Sequence, residues 1–156
     1  MARTATAKMA PDAVFRLIYR SKSRIPAAEL DAQLGDILRG ARAKNSALGV
    51  TGALLLYDDW FAQTLEGAED AVRGLYKKIA ADPRHSSVQL SEEGIVPSRV
   101  FSRWAMALVG EHGSPDIPLA ATSGGTAPAA GRSTTPDQEK ILGLMRDATR
   151  GYGRGS

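Results

Sequence analysis

The strongest constraint on this chain is a hydrophobic period that switches between 2 and 3.6 along residues 14–110. Strand side chains alternate between faces, so Phe15, Leu17 and Tyr19 of the run 14–21 share one face. The run 60–66 groups Phe61, Gln63 and Leu65, and the run 100–109 groups Trp104, Met106 and Leu108. Helical spacing takes over at Leu30, Leu34, Ile37, Leu38 and Ala41, behind Pro26 at a suitable first helical position. That helix is expected to end near Asn45, ahead of Gly49. The apolar run 50–57 reads as a strand that Asp58 and Asp59 turn into 60–66, making a hairpin. Val72, Leu75, Tyr76 and Ile79 predict a second helix within 68–81, which Asp82-Pro83 stops. A fourth strand spans 87–96, interrupted or bulged around Glu92–Gly94, and Pro97-Ser98 turn the chain into the fifth. The order is β-α-β-β-α-β-β, a split βαβ layout with one added strand, in the α+β class. Both helices are expected on one face of a single sheet.

Three polar side chains stand on the apolar faces of those strands. Tyr19 brings a phenol, Gln63 a carboxamide and Trp104 an indole toward one expected interior. Burying such a group unpartnered costs roughly 1–3 kcal/mol, so something there must hydrogen-bond to them. Taken singly, each has a plain explanation: a core tyrosine reaching a carbonyl, a bonded structural amide, an ordinary core indole. Their co-occurrence is the signal.

Composition narrows the candidates. Apolar residues make up 43% and charged residues 24% of 156, ordinary for a globular domain with a tail. With no cysteine there is no disulfide, thiolate metal site or cysteine nucleophile, and His85 and His112 alone make no zinc constellation. No apolar stretch reaches the length of a membrane span, and the N-terminus lacks the apolar core of a signal peptide, so a cytoplasmic location is expected. A net charge of +3 is compatible with an anionic ligand and weak as a nucleic-acid signal. Residues 1–12 read as a disordered N-terminus, 13–110 as the folded domain and 111–135 as a flexible Gly/Ala/Ser/Thr/Pro linker. Thr135-Pro136-Asp137-Gln138 has the form of a capping box that opens a short amphipathic helix over 136–150, with Ile141, Leu144, Met145 and Ala148 on one stripe. Residues 151–156 read as a frayed tail.

The runs Leu17-Ile18-Tyr19-Arg20-Ser21, Asn45…Thr51-Gly52-Ala53-Leu54, Phe61 to Gly67, Asp82-Pro83-Arg84-His85 and Phe101 to Met106 together resemble the BLUF domain, a blue-light sensor using FAD. The resemblance covers roughly residues 14–110. It implies a ferredoxin-like fold, two helices on a five-stranded mixed sheet, with non-covalently bound flavin between the helices. It also implies a hydrogen bond from Tyr19 to Gln63, contact of Gln63 with the flavin, and Asn45 on the edge of the ring. Tyr19 is implied to give an electron and a proton to the light-excited flavin. Their return leaves the Gln63 hydrogen bonds rearranged and the absorption shifted to the red. Trp104 and Met106 are implied to reposition and carry the signal through the fifth strand.

Lys44, Lys78, Asp82, Arg84 and His85 fall near the family's pyrimidine, ribityl and phosphate contacts, and Ile37, Leu54 and Phe61 are candidates to pack on the ring. Lys44 departs from the Asn, His or Arg that other members often carry there. The resemblance implies a photoreceptor rather than an enzyme. No cyclase, diguanylate cyclase or phosphodiesterase module is expected after Gly110, so output passes to a downstream protein partner or through a homodimer or higher homo-oligomer. Neither nucleic acid nor membrane is expected as a partner. Two other classes share the layout: a small acylphosphatase-like hydrolase, and a ferredoxin-like nucleic-acid-binding module. Solvent-facing aromatics on two central strands, which an RNA-binding sheet needs, are missing from this sequence.

Overall fold

The computed structural model describes residues 13–57, 59–110, 116–122, 125–128 and 135–154. Strand β1 (Val14–Ser23) leads through a short 3-10 turn into helix α1 (Leu30–Leu48), then β2 (Thr51–Tyr57), β3 (Trp60–Gly67), α2 (Glu69–Ala80) and β4 (His85–Val96). A short β5 (Ala107–Gly110), β6 (Ile117–Thr122), β7 (Gly125–Pro128) and α3 (Pro136–Arg154) complete the chain. The five predicted strands make one mixed sheet in the order β4-β1-β3-β2-β5, which β6 and β7 extend beyond β5. This is the ferredoxin-like arrangement with one parallel strand, β5, added beside β2.

The central strands are buried on both faces. On one, Phe15, Leu17, Leu54, Phe61 and Leu65 pack against Leu34 and Leu38 of α1 and Val72 and Leu75 of α2. On the other, Ile18, Ala53, Leu55, Ala62 and Val109 pack against Phe101 and against Ile141, Leu142 and Met145 of α3. Each fully buried aliphatic side chain contributes about 1.5–3 kcal/mol, so the two layers hold the sheet from both sides. Register fixes what meets what on the cleft face: Tyr19 lies directly across from Gln63, and Leu54 across from Gln63 on the other side.

Several expectations change. The fifth strand, read over 100–109, is confined to Ala107–Gly110, because the Glu66 carboxylate takes the backbone N–H groups of Val100 and Phe101 and turns the chain away from the sheet. The stretch 111–135, read as a flexible linker, carries β6 and β7, with Ile117 paired to Val109 and fully buried. Helix α3 runs through Arg154 rather than ending at 150. Its capping box forms as read: the Thr135 N–H donates to Gln138 Oε1 and the Gln138 N–H to Thr135 Oγ1, both at 3.1 Å. The buried stripe is Ile141, Leu142, Met145 and Ala148, while Leu144 turns outward. Residues 1–12, with the disorder expected for them, lie outside the described residues. No helix among the described residues is long and apolar enough to cross a membrane.

Two glycines answer to geometry. Gly49 ends α1 in the left-handed conformation (φ 70°). At Gly52, β2 and β3 approach so closely that a Cβ would sit 2.0 Å from the Thr64 carbonyl oxygen. Gly52→Ala should therefore destabilise the fold by about 3 kcal/mol or more through a backbone clash. Gly74→Ala, on an open part of α2, should stabilise it by about 0.5–1 kcal/mol. Urea unfolding of the two variants checks both signs; a neutral Gly52→Ala would refute the close approach.

Candidate functional site

The cleft lies between α1 and α2, with the sheet as its floor. Tyr19, Leu54, Phe61 and Gln63 form that floor. Helix α1 contributes Asp36, Ile37, Gly40, Ala41, Lys44 and Asn45, and α2 contributes Leu75, Lys78 and Ile79. Asp82, Arg84 and His85 close one end, on the connection from α2 to β4. Every residue singled out in the sequence for ring, ribityl or phosphate contact lines this one cleft.

At the floor, three side chains are joined in series. The Tyr19 hydroxyl donates to Gln63 Oε1, and Gln63 Nε2 donates to Met106 Sδ at 3.4 Å. All three are buried. Burial pushes the Tyr19 hydroxyl well above the ordinary tyrosine range, and the neighbouring Tyr76 phenol and Asp82 carboxylate push it the same way. The tyrosine therefore stands as a neutral donor.

Asn45 is fully buried near the end of α1, and its Nδ2 donates to the Ala105 carbonyl at 2.7 Å. Its Oδ1 has no protein partner although buried, so this acceptor is left for a donor in the cleft. The end wall is tied internally. Hydrogen bonds from Arg84, through its N–H at 2.8 Å and Nε at 2.9 Å, hold the Asp82 carboxyl below the usual carboxylate range. His85 Nε2 lies 2.6 Å from the Ile79 carbonyl, which only accepts, so Nε2 carries the hydrogen. His85 Nδ1 faces the buried Ser21 hydroxyl at 2.7 Å.

Trp104 is the exception. It is not on a strand and does not line the cleft; half-buried, it packs on Phe101 with ring centroids 6.4 Å apart, under the Arg103 guanidinium. Because the Glu66 carboxylate turns the chain at Val100 and Phe101, the period-2 expectation fails at Trp104, while Met106 and Leu108 reach the core that holds Tyr19, and of the three Met106 alone bonds to Gln63. Asp36, Gly40, Ala41, Leu75 and Ile79 line the cleft without having been singled out for it. The α1 set 36, 37, 40, 41, 44 and 45 is a single stripe at i, i+1, i+4, i+5 spacing, a signal present in the sequence.

Residues 14–107 match the family of sensors of blue-light using FAD, the BLUF domain. The chain belongs to this family. Over 91 residues it is 38% identical to the photoactivated adenylate cyclase subunit beta of Euglena longa, covering 58% of this chain and 10% of that protein. It is 35% identical over 92 residues to the blue light- and temperature-regulated antirepressor BluF of Escherichia coli (strain K12), covering 59% and 22%. The dark-state structure of BlrB, a BLUF protein, superposes with a TM-score of 0.58 at 35% identity, covering 62% of this chain and 72% of that one. The chain thus spans about a tenth of the cyclase subunit it matches and under a quarter of the antirepressor.

The cofactor of a BLUF domain is FAD. The cleft fits it: the orphaned Asn45 Oδ1 can accept the ring's imide N–H, and the site of Gly40, where a Cβ would meet nothing within 4 Å, leaves room beside α1. Lys44 and Lys78, one on each helix, bring two ammonium groups to the same cleft. Among the described residues no cluster of His, Cys, Asp and Glu is arranged to hold a metal ion.

The raised Tyr19 hydroxyl has a consequence for stability. In the unfolded chain Tyr19 ionises near its ordinary value of 10, while in the fold it stays protonated, so above that pH the unfolded state binds fewer protons. Its contribution is complete below pH 10 and is lost as pH climbs beyond. From pH 10 to 11.5 the protein should lose stability faster than a Tyr19→Phe variant, by up to about 1.4 kcal/mol per pH unit. Parallel slopes in denaturant unfolding would show that Tyr19 ionises freely in the fold.

Proposed function

We propose that this BLUF chain is a blue-light photoreceptor whose switch is the Tyr19–Gln63 pair. The observation that carries the reading is the series Tyr19 hydroxyl, Gln63 amide, Met106 sulfur at the floor of a cleft lined by the flavin-contact residues.

When bound and excited by blue light, FAD supplies a strong one-electron oxidant. Tyr19 gives up the electron, and its hydroxyl proton leaves through Gln63 Oε1, to which it already donates. Burial keeps the hydroxyl protonated beforehand, so electron loss and proton loss are coupled. Both return when the charges recombine, and Tyr19 ends as the neutral phenol it began as. The lasting change is in Gln63. Its Nε2 is held by a thioether, a weak acceptor that is readily exchanged, while its carbonyl is held by a hydroxyl. Rotation or tautomerisation of the amide exchanges donor for acceptor and breaks the contact with Met106. A strengthened hydrogen bond from Gln63 to the ring shifts the flavin absorption to the red.

Signal then passes through the segment ending in Met106 and β5 to a partner protein or a second copy of the chain. Among the relatives, one is a photoactivated cyclase subunit and another an antirepressor. The other two classes find less support. Asn45 Nδ2 donates to the Ala105 carbonyl rather than to a phosphate site, and layers pack on both faces of the central strands, where an RNA-binding sheet needs an open face.

The purified protein should be yellow, with a flavin spectrum that blue light shifts reversibly to the red. Tyr19→Phe and Gln63→Leu should each keep the flavin and lose the shift. A normal photocycle in either variant, followed by absorption spectroscopy, would refute the switch.

A further inference from the structure

Glu66 is a fully buried carboxylate that the photochemistry leaves unused. It lies on β3 three residues beyond Gln63, and by strand alternation on the opposite face of the sheet. Every contact to its carboxylate is a donor. Oε2 accepts the Val100 N–H at 2.6 Å, and Oε1 accepts the Phe101 N–H and the Thr51 hydroxyl, each at 3.0 Å. Arg99 reinforces the arrangement by donating to Thr51 Oγ1 at 3.0 Å and to the Glu66 carbonyl at 3.1 Å.

The residues held in this way are the seat of α3. The Val100 carbonyl accepts Gln138 Nε2 at 3.0 Å, and the fully buried Phe101 packs with Ile141, Leu142 and Met145. The same segment ends in the cleft. There α1 holds the Ala105 carbonyl through Asn45 and the Met106 carbonyl through Arg42 Nε at 3.0 Å, while Met106 Sδ meets Gln63. One stretch of chain, 98–106, thus touches the switch at one end and α3 at the other.

We propose that Glu66 is a positioning residue that fixes the turn at Val100 and Phe101 and thereby couples Gln63 to the seat of α3. The light-dependent part rests on the photoreceptor reading above. With the turn fixed, movement of Met106 as Gln63 reorients is passed along a segment anchored at Glu66 and reaches the Gln138–Val100 contact. Without the anchor, the turn relaxes and α3 no longer follows the switch. The carboxylate is required as such, because a glutamine of the same size turns an N–H₂ toward one of the three donors.

The test uses the full chain with FAD bound, measuring amide hydrogen exchange of Ile141–Ala148 in the dark and under blue light, beside the absorption spectrum. In the wild type, light should raise exchange in α3. In Glu66→Gln, dark exchange should rise about tenfold, the order expected for losing one charge-assisted hydrogen bond. Light should then change it no further, while the red shift persists because Asn45 and Arg42 still hold the cleft end. Gln138→Glu keeps the capping acceptor and loses the donor to Val100, so it should uncouple α3 in the same way even if Glu66→Gln folds poorly. Wild-type protection and light response in both variants would overturn the role of Glu66, as would a red-shifting wild type whose α3 exchange ignores light. A wild type with no red shift would instead overturn the photoreceptor reading. In that case the dark exchange of Glu66→Gln still decides whether Glu66 seats α3.

Discussion

A carboxamide buried in the middle of a sheet must be hydrogen-bonded at both ends, and the rest of this structure is arranged around that requirement. Gln63 sits on β3, between β1 and β2, and register alone sets Tyr19 against it. A slip of one residue would send Tyr19 to the α3 face and leave the amide without its donor. The partners are unequal, a hydroxyl at one end and a thioether at the other, so the amide is held firmly but not symmetrically. That inequality makes a second arrangement accessible within a packed core, which favours discrete alternatives over gradual distortion.

Much of this was legible in the sequence because both periodicities are strong. Phe15, Leu17 and Tyr19 alternate cleanly, and Val72, Leu75 and Ile79 mark a helix stopped by Asp82-Pro83. Strand order and the cleft-facing residues of β1 and β3 follow from them. Trp104 departs from its periodicity for a definite physical reason. The run 100–109 alternates well enough to pass as a strand, but a buried carboxylate 34 residues earlier captures its first two N–H groups. Local pattern carries no trace of such a long-range contact. The stretch 111–135 fails differently: its small residues lack amphipathic contrast, and β6 is drawn into the sheet by pairing with β5 rather than by its own periodicity. Gly40 carries no signal of its own, because a residue without a side chain reads as neutral on a helix face until the opposite wall is known.

β3 carries two polar specialisations on opposite faces. Gln63 looks into the cleft and Glu66 into the layer beneath α3, each buried and each satisfied. A single strand thickness separates them, so the path from chromophore pocket to far surface is short and runs through the covalent chain.

Hydrogen bonds fasten helix α3 near both of its ends. Gln138 holds the Val100 carbonyl near its start, and Arg20, the neighbour of Tyr19 on β1, donates to the Ala148 carbonyl at 3.1 Å. These fastenings are ten residues apart, about 15 Å along the axis. A rod held at both ends stays put, and a rod freed at one end swings about the other. If the contact at Gln138 opens while the one at Ala148 holds, the pivot lies near the carboxyl end and the largest displacement falls at the amino end. The moving part is then the capping box at Thr135 and Gln138, so motion that starts under the sheet surfaces at the amino end of α3.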